Sequence, residues 1–332
     1  MATSDERSAE ERLIARYFAP LAISPGAFGL SDDAAIVTPP PGCDLVLTTD
    51  GVIAGVHFFP DDPPGDIGRK VLRMNLSDLA AKGAKPMGFL LSMALPAAFE
   101  ETWIAAFAAG LGDDAAHYGC PLLGGDTDHT PGPLSVSIAA FGTVPHGAMV
   151  RRSTAQVGDS IVVTGTIGDA ALGVLLRRDE RLAGPWGLSD AMTAHIKRRY
   201  LLPEPRTALA EAVLDHAAAA MDVSDGLAGD LAKLCRASGV AAEIDVARVP
   251  LSSAARAAIA ADPALLETAL TGGDDYEVVV TLAAKKLRAF NAAAQQVGIA
   301  ATEIGRVTEG QGARFVRDGK ALSFARSSYS HF

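Results

Sequence analysis

Carboxylates stand at the ends of short apolar runs along this chain. Asp32-Asp33 precede Ala34–Val37, Asp50 closes Leu45–Thr49, and Asp126 follows Leu122-Leu123-Gly124-Gly125. Asp222 and Asp225 lie in Met-Asp-Val-Ser-Asp-Gly, and Asp274-Asp275 follow Thr271-Gly-Gly. A carboxylate at the mouth of a buried strand is costly unless a positive group neutralises it. No matching set of Lys or Arg sits beside these positions in the sequence. The economical neutraliser is a hard divalent cation, and clustered oxygen donors suit magnesium carrying phosphates. The pattern points to phosphate chemistry.

At 332 residues the chain predicts about two domains. The turn-rich stretch Pro145–Gly158 marks the boundary, giving 1–148 and 149–332. Basic residues number 29 against 39 acidic, a net charge of −10, which argues against a nucleic-acid partner. An anionic nucleotide ligand would meet the same repulsion, and bound magnesium would relieve it locally. Cys43, Cys120 and Cys235 are far apart, so neither a disulfide framework nor a zinc site is expected. The polar start, Met-Ala-Thr-Ser-Asp-Glu-Arg-Ser, has no apolar signal core, and no apolar run approaches the ~20 residues of a membrane span. A cytoplasmic protein with no membrane partner is the expectation.

Ser8-x-x-Glu11 reads as a capping box opening a helix to Phe18. Ala34–Val37 and Leu45–Thr49 read as strands, and Ile67–Lys82 as a helix. Strand Phe89–Leu95, helix Glu101–Tyr118, strand Pro121–Leu123 and the alternating Leu134–Val144 follow. The second half reads as strand Ser160–Thr164 and helices Asp169–Leu176 and Thr207–His216, then strand Ala219–Met221, helix Leu227–Ala237 and strands Ala242–Val246 and Tyr276–Leu282. Helix Lys285–Val297 and strands Gly305–Val307 and Ala313–Val316 complete it. Helices and strands alternate in both halves. The class is therefore α/β with sheets at least partly antiparallel.

Each motif has a plain structural reading beside a chemical one. Asp33 and Asp50 can be turn residues or metal ligands, and Thr48-Thr49 add oxygens that magnesium accepts. Asn75-Leu-Ser-Asp78 lies mid-helix, where those residues have poor propensity; it is either a solvated face or a place where function overrides propensity. Gly124-Gly125-Asp126 is a tight turn or a close approach for phosphate with a carboxylate for its metal. Thr164-Gly-Thr-Ile-Gly168 fits neither the dinucleotide nor the phosphate-loop spacing. Asp222-Val-Ser224-Asp225-Gly226 puts two carboxylates and a hydroxyl where a strand gives way to a helix, and helix capping can coexist with that role. Arg151-Arg152 is a solvated pair or a phosphate clamp, and His57 can be a packed histidine. Nothing suggests a Ser/His/Asp arrangement.

As a set these segments resemble the thiamine-monophosphate kinases, within the superfamily that includes aminoimidazole ribonucleotide synthetase. The carrying segments are Ser31-Asp-Asp-Ala-Ala, Thr48-Thr-Asp50, Val56-His57-Phe58, Asn75-Leu-Ser-Asp-Leu-Ala-Ala-Lys-Gly-Ala and Leu123-Gly-Gly-Asp-Thr127. They continue through Arg152-Ser153, Gly158-Asp159, Val163-Thr-Gly165, Asp222-Val-Ser-Asp-Gly226 and Gly272-Gly-Asp-Asp-Tyr-Glu277. The resemblance implies a two-domain subunit of the aminoimidazole ribonucleotide synthetase-like fold. It also implies a homodimer paired through the N-terminal domains, with ATP bound by them. It places Asp33, Thr48, Thr49, Asp50, Asp78, Asp126, Asp222 and Asp225 on magnesium-ligand positions. Tyr118, Gly125, Asp126, Arg152 and Ser224 fall on nucleotide-contact positions, and His57, Asp274 and Tyr329 on substrate-contact positions. Two departures stand out: Ser31 replaces the family's Gly, and Asp274 replaces its Glu with a side chain one methylene shorter.

The implied reaction is ATP plus thiamine monophosphate giving thiamine diphosphate and ADP by direct in-line transfer, with several magnesium ions. The acceptor oxygen is already anionic, so a strong general base is not needed. Among relatives that use ATP differently, a selenophosphate synthetase needs a reactive cysteine in an N-terminal Gly-rich loop, whereas Cys43 follows Pro-Pro-Pro-Gly. A hydrogenase-maturation relative needs a C-terminal cysteine, and this chain ends Tyr-Ser-His-Phe. Aminoimidazole ribonucleotide synthetase on fold alone, and a non-catalytic nucleotide sensor, remain as alternatives.

Overall fold

Ser8 opens the first helix with the expected box: its Oγ accepts the Glu11 N–H at 3.1 Å while the Glu11 carboxylate accepts the Ser8 N–H at 2.5 Å. The computed structural model describes residues 8–325 and Ser328. It divides into two units, Met1–Leu79 with Lys85–His146, and Ala80–Ala84 with Gly147–Phe332.

In the first unit, α1 (Ala9–Leu13) widens into a π-turn as far as Phe18. β1 (Cys43–Ile53), α2 (Pro64–Ala81), β2 (Lys85–Pro96), α3 (Glu101–His117), β3 (Leu122–Thr130) and β4 (Ser135–Pro145) follow. The strands form one mixed sheet in the order β1-β4-β2-β3, parallel only between β2 and β3. Strand alternation sorts the sheet into two faces. One carries Val46, Val52, Phe89, Leu91, Met93, Val136, Ile138 and Ala140, all buried. The other carries Leu47, Ile53 and Leu90 at 63%, 37% and 37% exposure, an apolar face left open.

The second unit contains β5 (Ser160–Thr164), α4 (Asp169–Arg178), α5 (Asp190–Leu201), α6 (Ala210–His216), β6 (Ala219–Val223), α7 (Leu227–Ser238) and β7 (Ala241–Asp245). It continues with α8 (Ser253–Ala261), α9 (Leu265–Thr271), β8 (Glu277–Leu282), α10 (Leu287–Gln296), β9 (Ala301–Thr308), β10 (Gly312–Arg317) and β11 (Lys320–Ala321). Its sheet runs β11-β10-β7-β9-β5-β8-β6, with the β7–β10 pair parallel. β5, β6 and β8 are buried along their whole length, so both faces must be covered. Ile161, Val163, Met221 and Val223 pack with Leu227, Leu231 and Leu234 of α7. Val162, Val278, Val280 and Leu282 pack with Val213 of α6 and Phe290 of α10.

The α/β class with mixed sheets is as the sequence predicts. Ala34–Val37 is not a strand: it is irregular, tied by the Ile36 N–H to the Gly26 carbonyl at 2.8 Å. Helices α5, α8 and α9 carry no expectation from periodicity. Asp50 and Asp126 lie inside β1 and β3 rather than at strand ends, because both strands run on past them, to Ile53 and Thr130. No described helix is long and apolar enough to cross a membrane.

Candidate active site

The first unit holds a cavity of about 890 Å³ on the open face of its sheet. Phe18, Leu30, Val37, Leu123 and Phe141 supply apolar wall, and Glu10, Asp32, Asp33 and Asp126 supply carboxylates. No Lys, Arg or His is among its described lining residues. Strand register explains the polar patch. Gly51 pairs with Ser137, Ser137 with Ser92, and Ser92 with Asp126, so one row across the sheet brings two hydroxyls and a carboxylate to the same face. The next row, Thr49–Ala139–Leu90–Gly124, adds the Thr49 hydroxyl. Gly125 is glycine for a structural reason: a Cβ there would stand 1.8 Å from the Leu91 carbonyl oxygen.

Thr48 and Asp50 belong to the opposite face. Thr48 Oγ1 donates to Asp78 Oδ2 at 2.5 Å, joining β1 to α2. Asn75 Oδ1 accepts the Asp50 N–H at 2.9 Å while its Nδ2 donates to the Val71 carbonyl at 2.9 Å. Asn75 and Ser77 are fully buried, so this polar helix segment is not a solvated face. The residues expected as ligands in this unit therefore divide: Asp33, Thr49 and Asp126 line the cavity, and Thr48, Asp50 and Asp78 lie between strand and helix. Tyr118 caps α3 beneath the Arg73 guanidinium, 5.8 Å from its ring centroid, and is not among the cavity walls.

His57 has a defined tautomer. The Ile53 N–H donates to its Nδ1 at 3.0 Å, so the neutral ring carries its proton on Nε2. Lys70, buried on α2, donates to the His57 carbonyl at 3.1 Å and holds the loop.

In the second unit β6 delivers Asp222 to its end, where it is 7% exposed, and Ser224 and Asp225 follow in the turn before α7. Here the expectation of carboxylates without basic neighbours is corrected. Lys233, two turns along α7, donates to Asp225 Oδ2 at 2.5 Å and to Asp230 Oδ1 at 2.8 Å. Burial pushes the Asp230 carboxyl above its ordinary pKa. Burial works against the Lys233 charge, but the hydrogen bonds to Asp225 and Asp230 outweigh it and hold the ammonium pKa above the usual value. Asp274 lies against this turn, its N–H donating to the Ser224 carbonyl at 2.8 Å. Arg152 is exposed, and its carbonyl accepts from Ser238 at 2.9 Å. Tyr329 lies outside the described residues.

Sequence reasoning missed Ser92 and Ser137, which only strand register brings beside Asp126. It also missed Lys233, whose spacing of three from Asp230 on one helix face was the available signal. Cys120 and Cys235 are buried, which pushes their thiols up to about 12 and about 11 and leaves them unreactive. Among the described residues no three His, Cys, Asp or Glu side chains form a ready ion cage.

Comparison with known proteins gives this arrangement its family. The AIR synthase related protein N-terminal domain matches residues 31–144, and the corresponding C-terminal domain matches 156–318. The thiamine-monophosphate kinase of Caulobacter vibrioides is 41% identical over 323 residues, covering 96% of this chain and 89% of that protein. This chain belongs to the thiamine-monophosphate kinase family. The crystal structure of the Stenotrophomonas maltophilia K279a thiamine-monophosphate kinase superposes with a TM-score of 0.82 at 39% identity, covering 96% of this chain and 98% of that one. AaThiL complexed with AMPPCP and TMP gives 0.76 at 31% identity, covering 92% and 97%. Membership accounts for both AIR synthase related domains and for their mixed sheets.

Proposed function

We propose that this chain is an ATP-dependent kinase that phosphorylates thiamine monophosphate to thiamine diphosphate, releasing ADP. Family membership supports the activity, and a relative complexed with AMPPCP and TMP supports the substrate pair. The observation in this chain that carries the reading is the first-unit cavity, which joins apolar walls to carboxylates, with no basic side chain among its described lining residues. Apolar walls suit a nucleotide base. The carboxylates repel its phosphates unless a cation intervenes.

The donor set fits magnesium in its chemistry, because Asp33, Asp126 and Thr49 all line the cavity and offer hard oxygens. Thr48, Asp50 and Asp78, on the other face of the sheet, and Asp222 and Asp225 of the second unit are proposed as further magnesium ligands. Bound magnesium would neutralise phosphate charge and hold two anions together. This chain's own side chains orient the reactants. Gly125, Ser224 and Arg152, with Tyr118, are the proposed nucleotide contacts. His57, Asp274 and Tyr329 are the proposed acceptor contacts. The attacking phosphate oxygen already carries negative charge, so no group need take a proton from it.

A homodimer is part of the proposal. The exposed Leu47, Ile53 and Leu90 make an apolar sheet face that a second copy of the chain would cover. The free cysteines are consistent with a reducing cytoplasm.

Product analysis tests the activity. With ATP and magnesium, thiamine monophosphate should be converted to thiamine diphosphate, and free thiamine and aminoimidazole precursors should not react. Comparable phosphorylation of free thiamine would refute the acceptor assignment.

A further inference from the structure

Asp274 and Tyr276 have φ of +74° and +50°, a region that residues other than glycine seldom occupy. Their surroundings must hold them there. On one side the Asp274 N–H donates to the Ser224 carbonyl and the Tyr276 N–H to the Val223 carbonyl, each at 2.8 Å. Gly273 passes so close that a Cβ would stand 2.5 Å from the Ser224 carbonyl oxygen. On the other side the loop is anchored in the interior through Glu277, which is fully buried at the start of β8.

Three side chains grip that carboxylate. Thr164 Oγ1 donates to Oε2 at 2.6 Å, Arg206 Nε to Oε2 at 2.6 Å, and Arg199 Nη2 to Oε1 at 2.9 Å. Arg206 Nη2 also donates to Oε1, making its contact a two-pronged one. Arg199 Nη2 reaches the Asp275 carbonyl as well, at 3.0 Å, so one guanidinium ties the loop backbone to its anchor. Gly165 belongs to the same arrangement, since a Cβ there would stand 2.0 Å from Glu277 Oε1.

The turn at 222–226 has a separate fastening. The Asp225 N–H donates to Asp230 Oδ2 at 2.8 Å, and Lys233 holds both carboxylates. Cutting the Glu277 anchor therefore leaves the Asp222–Asp225 turn fastened through α7.

We propose that Glu277, gripped by Arg199 and Arg206, is a positioning residue for the acceptor: it fixes the strained turn that presents Asp274, and it acts on acceptor binding rather than nucleotide binding. The inference rests on the acceptor role of Asp274 proposed above. Glu277 acts through the backbone of residues 274–276.

Steady-state kinetics on the full chain, varying thiamine monophosphate and ATP in turn, test it. Glu277→Gln keeps the shape and removes the charge; it should raise the KM for thiamine monophosphate roughly fivefold to twentyfold and leave kcat and the KM for ATP within about twofold. Arg206→Lys keeps the positive charge without the two-pronged contact and should shift the same constant in the same direction by less. The double variant should be no worse than Glu277→Gln alone, because both changes cut one contact. Equal rises in both KM values, or a fall in kcat with the acceptor KM unchanged, would overturn the proposal. If Glu277→Gln does not fold, Arg206→Lys carries the same comparison. Asp274→Ala separates the two layers. An unchanged acceptor KM in that variant removes the acceptor role of Asp274 and the inference with it. A raised KM there, with none in Glu277→Gln, removes only the positioning role.

Discussion

Lys233 Nζ lies 2.5 Å from Asp225 Oδ2, so a carboxylate proposed to bind magnesium already has a cation of the protein's own. The same ammonium reaches Asp230, which is fully buried. One lysine thus fastens the turn and occupies part of its charge.

Lys233→Met should consequently have two effects of opposite value. Removing a competing charge should lower the magnesium concentration for half-maximal activity by roughly threefold to tenfold. Leaving Asp230 buried without its charged partner, with only the Asp225 N–H to satisfy it, should lower the thermal midpoint. Magnesium activation curves and thermal scans on the same variant check both. An unchanged magnesium requirement would mean that Asp225 does not bind the ion.

Asp126 should separate activity from stability in the opposite sense. It is exposed on the cavity wall, so Asp126→Asn should cost little in folding, within about 0.5 kcal/mol. Turnover should nevertheless fall by roughly a hundredfold or more if the carboxylate holds the ion that carries the phosphates. Near-native turnover at limiting magnesium would exclude Asp126 from the ligand set.

Asn75 gives a stability prediction on the other face of the same sheet. β1 is an edge strand, and Asn75 supplies the acceptor for the Asp50 N–H while also donating to the Val71 carbonyl. Asn75→Ala removes the acceptor from a part-buried N–H and should destabilise the fold by about 1–3 kcal/mol. Chemical denaturation measures it. A loss of activity with no loss of stability would instead make Asn75 part of the site.

Much of the fold is legible in the sequence alone, for identifiable reasons. β5 is legible because Ser160–Thr164 is buried on both faces and Ile161–Thr164 reads as an unbroken β-branched run. α8 is not, because its sequence is nearly all small residues and its buried Ala254, Ala255 and Ala258 give little apolar contrast. Ala34–Val37 misleads because Ala34, Ala35 and Val37 line the cavity wall without being part of a sheet, while Ile36 is exposed. In the site, Asp126 and Asp274 are visible as motif residues. What they stand beside is not. Ser92 meets Asp126 only through β2–β3 register, and Arg199 and Arg206 reach Glu277 from 78 and 71 positions away. Local sequence names a carboxylate and is silent on the partner that decides its role.

Asp275, the chain neighbour of a motif carboxylate, is itself fully buried and caps a distant helix. It accepts the Gly168 N–H at 2.8 Å and the Ala170 N–H at 3.4 Å, capping α4 from 105 or more positions along the chain. Burial pushes its carboxyl well above the ordinary 3.8; the Gly168 N–H and Arg199 oppose the shift, and the charges of Asp169 and Glu277 reinforce it. The folded chain then holds this proton more tightly than the unfolded chain. Between 3.8 and the raised value the native state binds more protons, so the group's contribution is full at acid pH and falls as pH rises through that window. Asp275→Asn keeps an acceptor oxygen for the cap and has no proton to lose. Its stability deficit against the unaltered chain should therefore be greatest near about pH 4 and narrow toward about pH 8. Thermal scans of the pair at several pH values check this, with other titrating groups cancelling in the difference. A deficit that widens with pH would mean that Asp275 is ionised in the folded chain and caps α4 as a carboxylate.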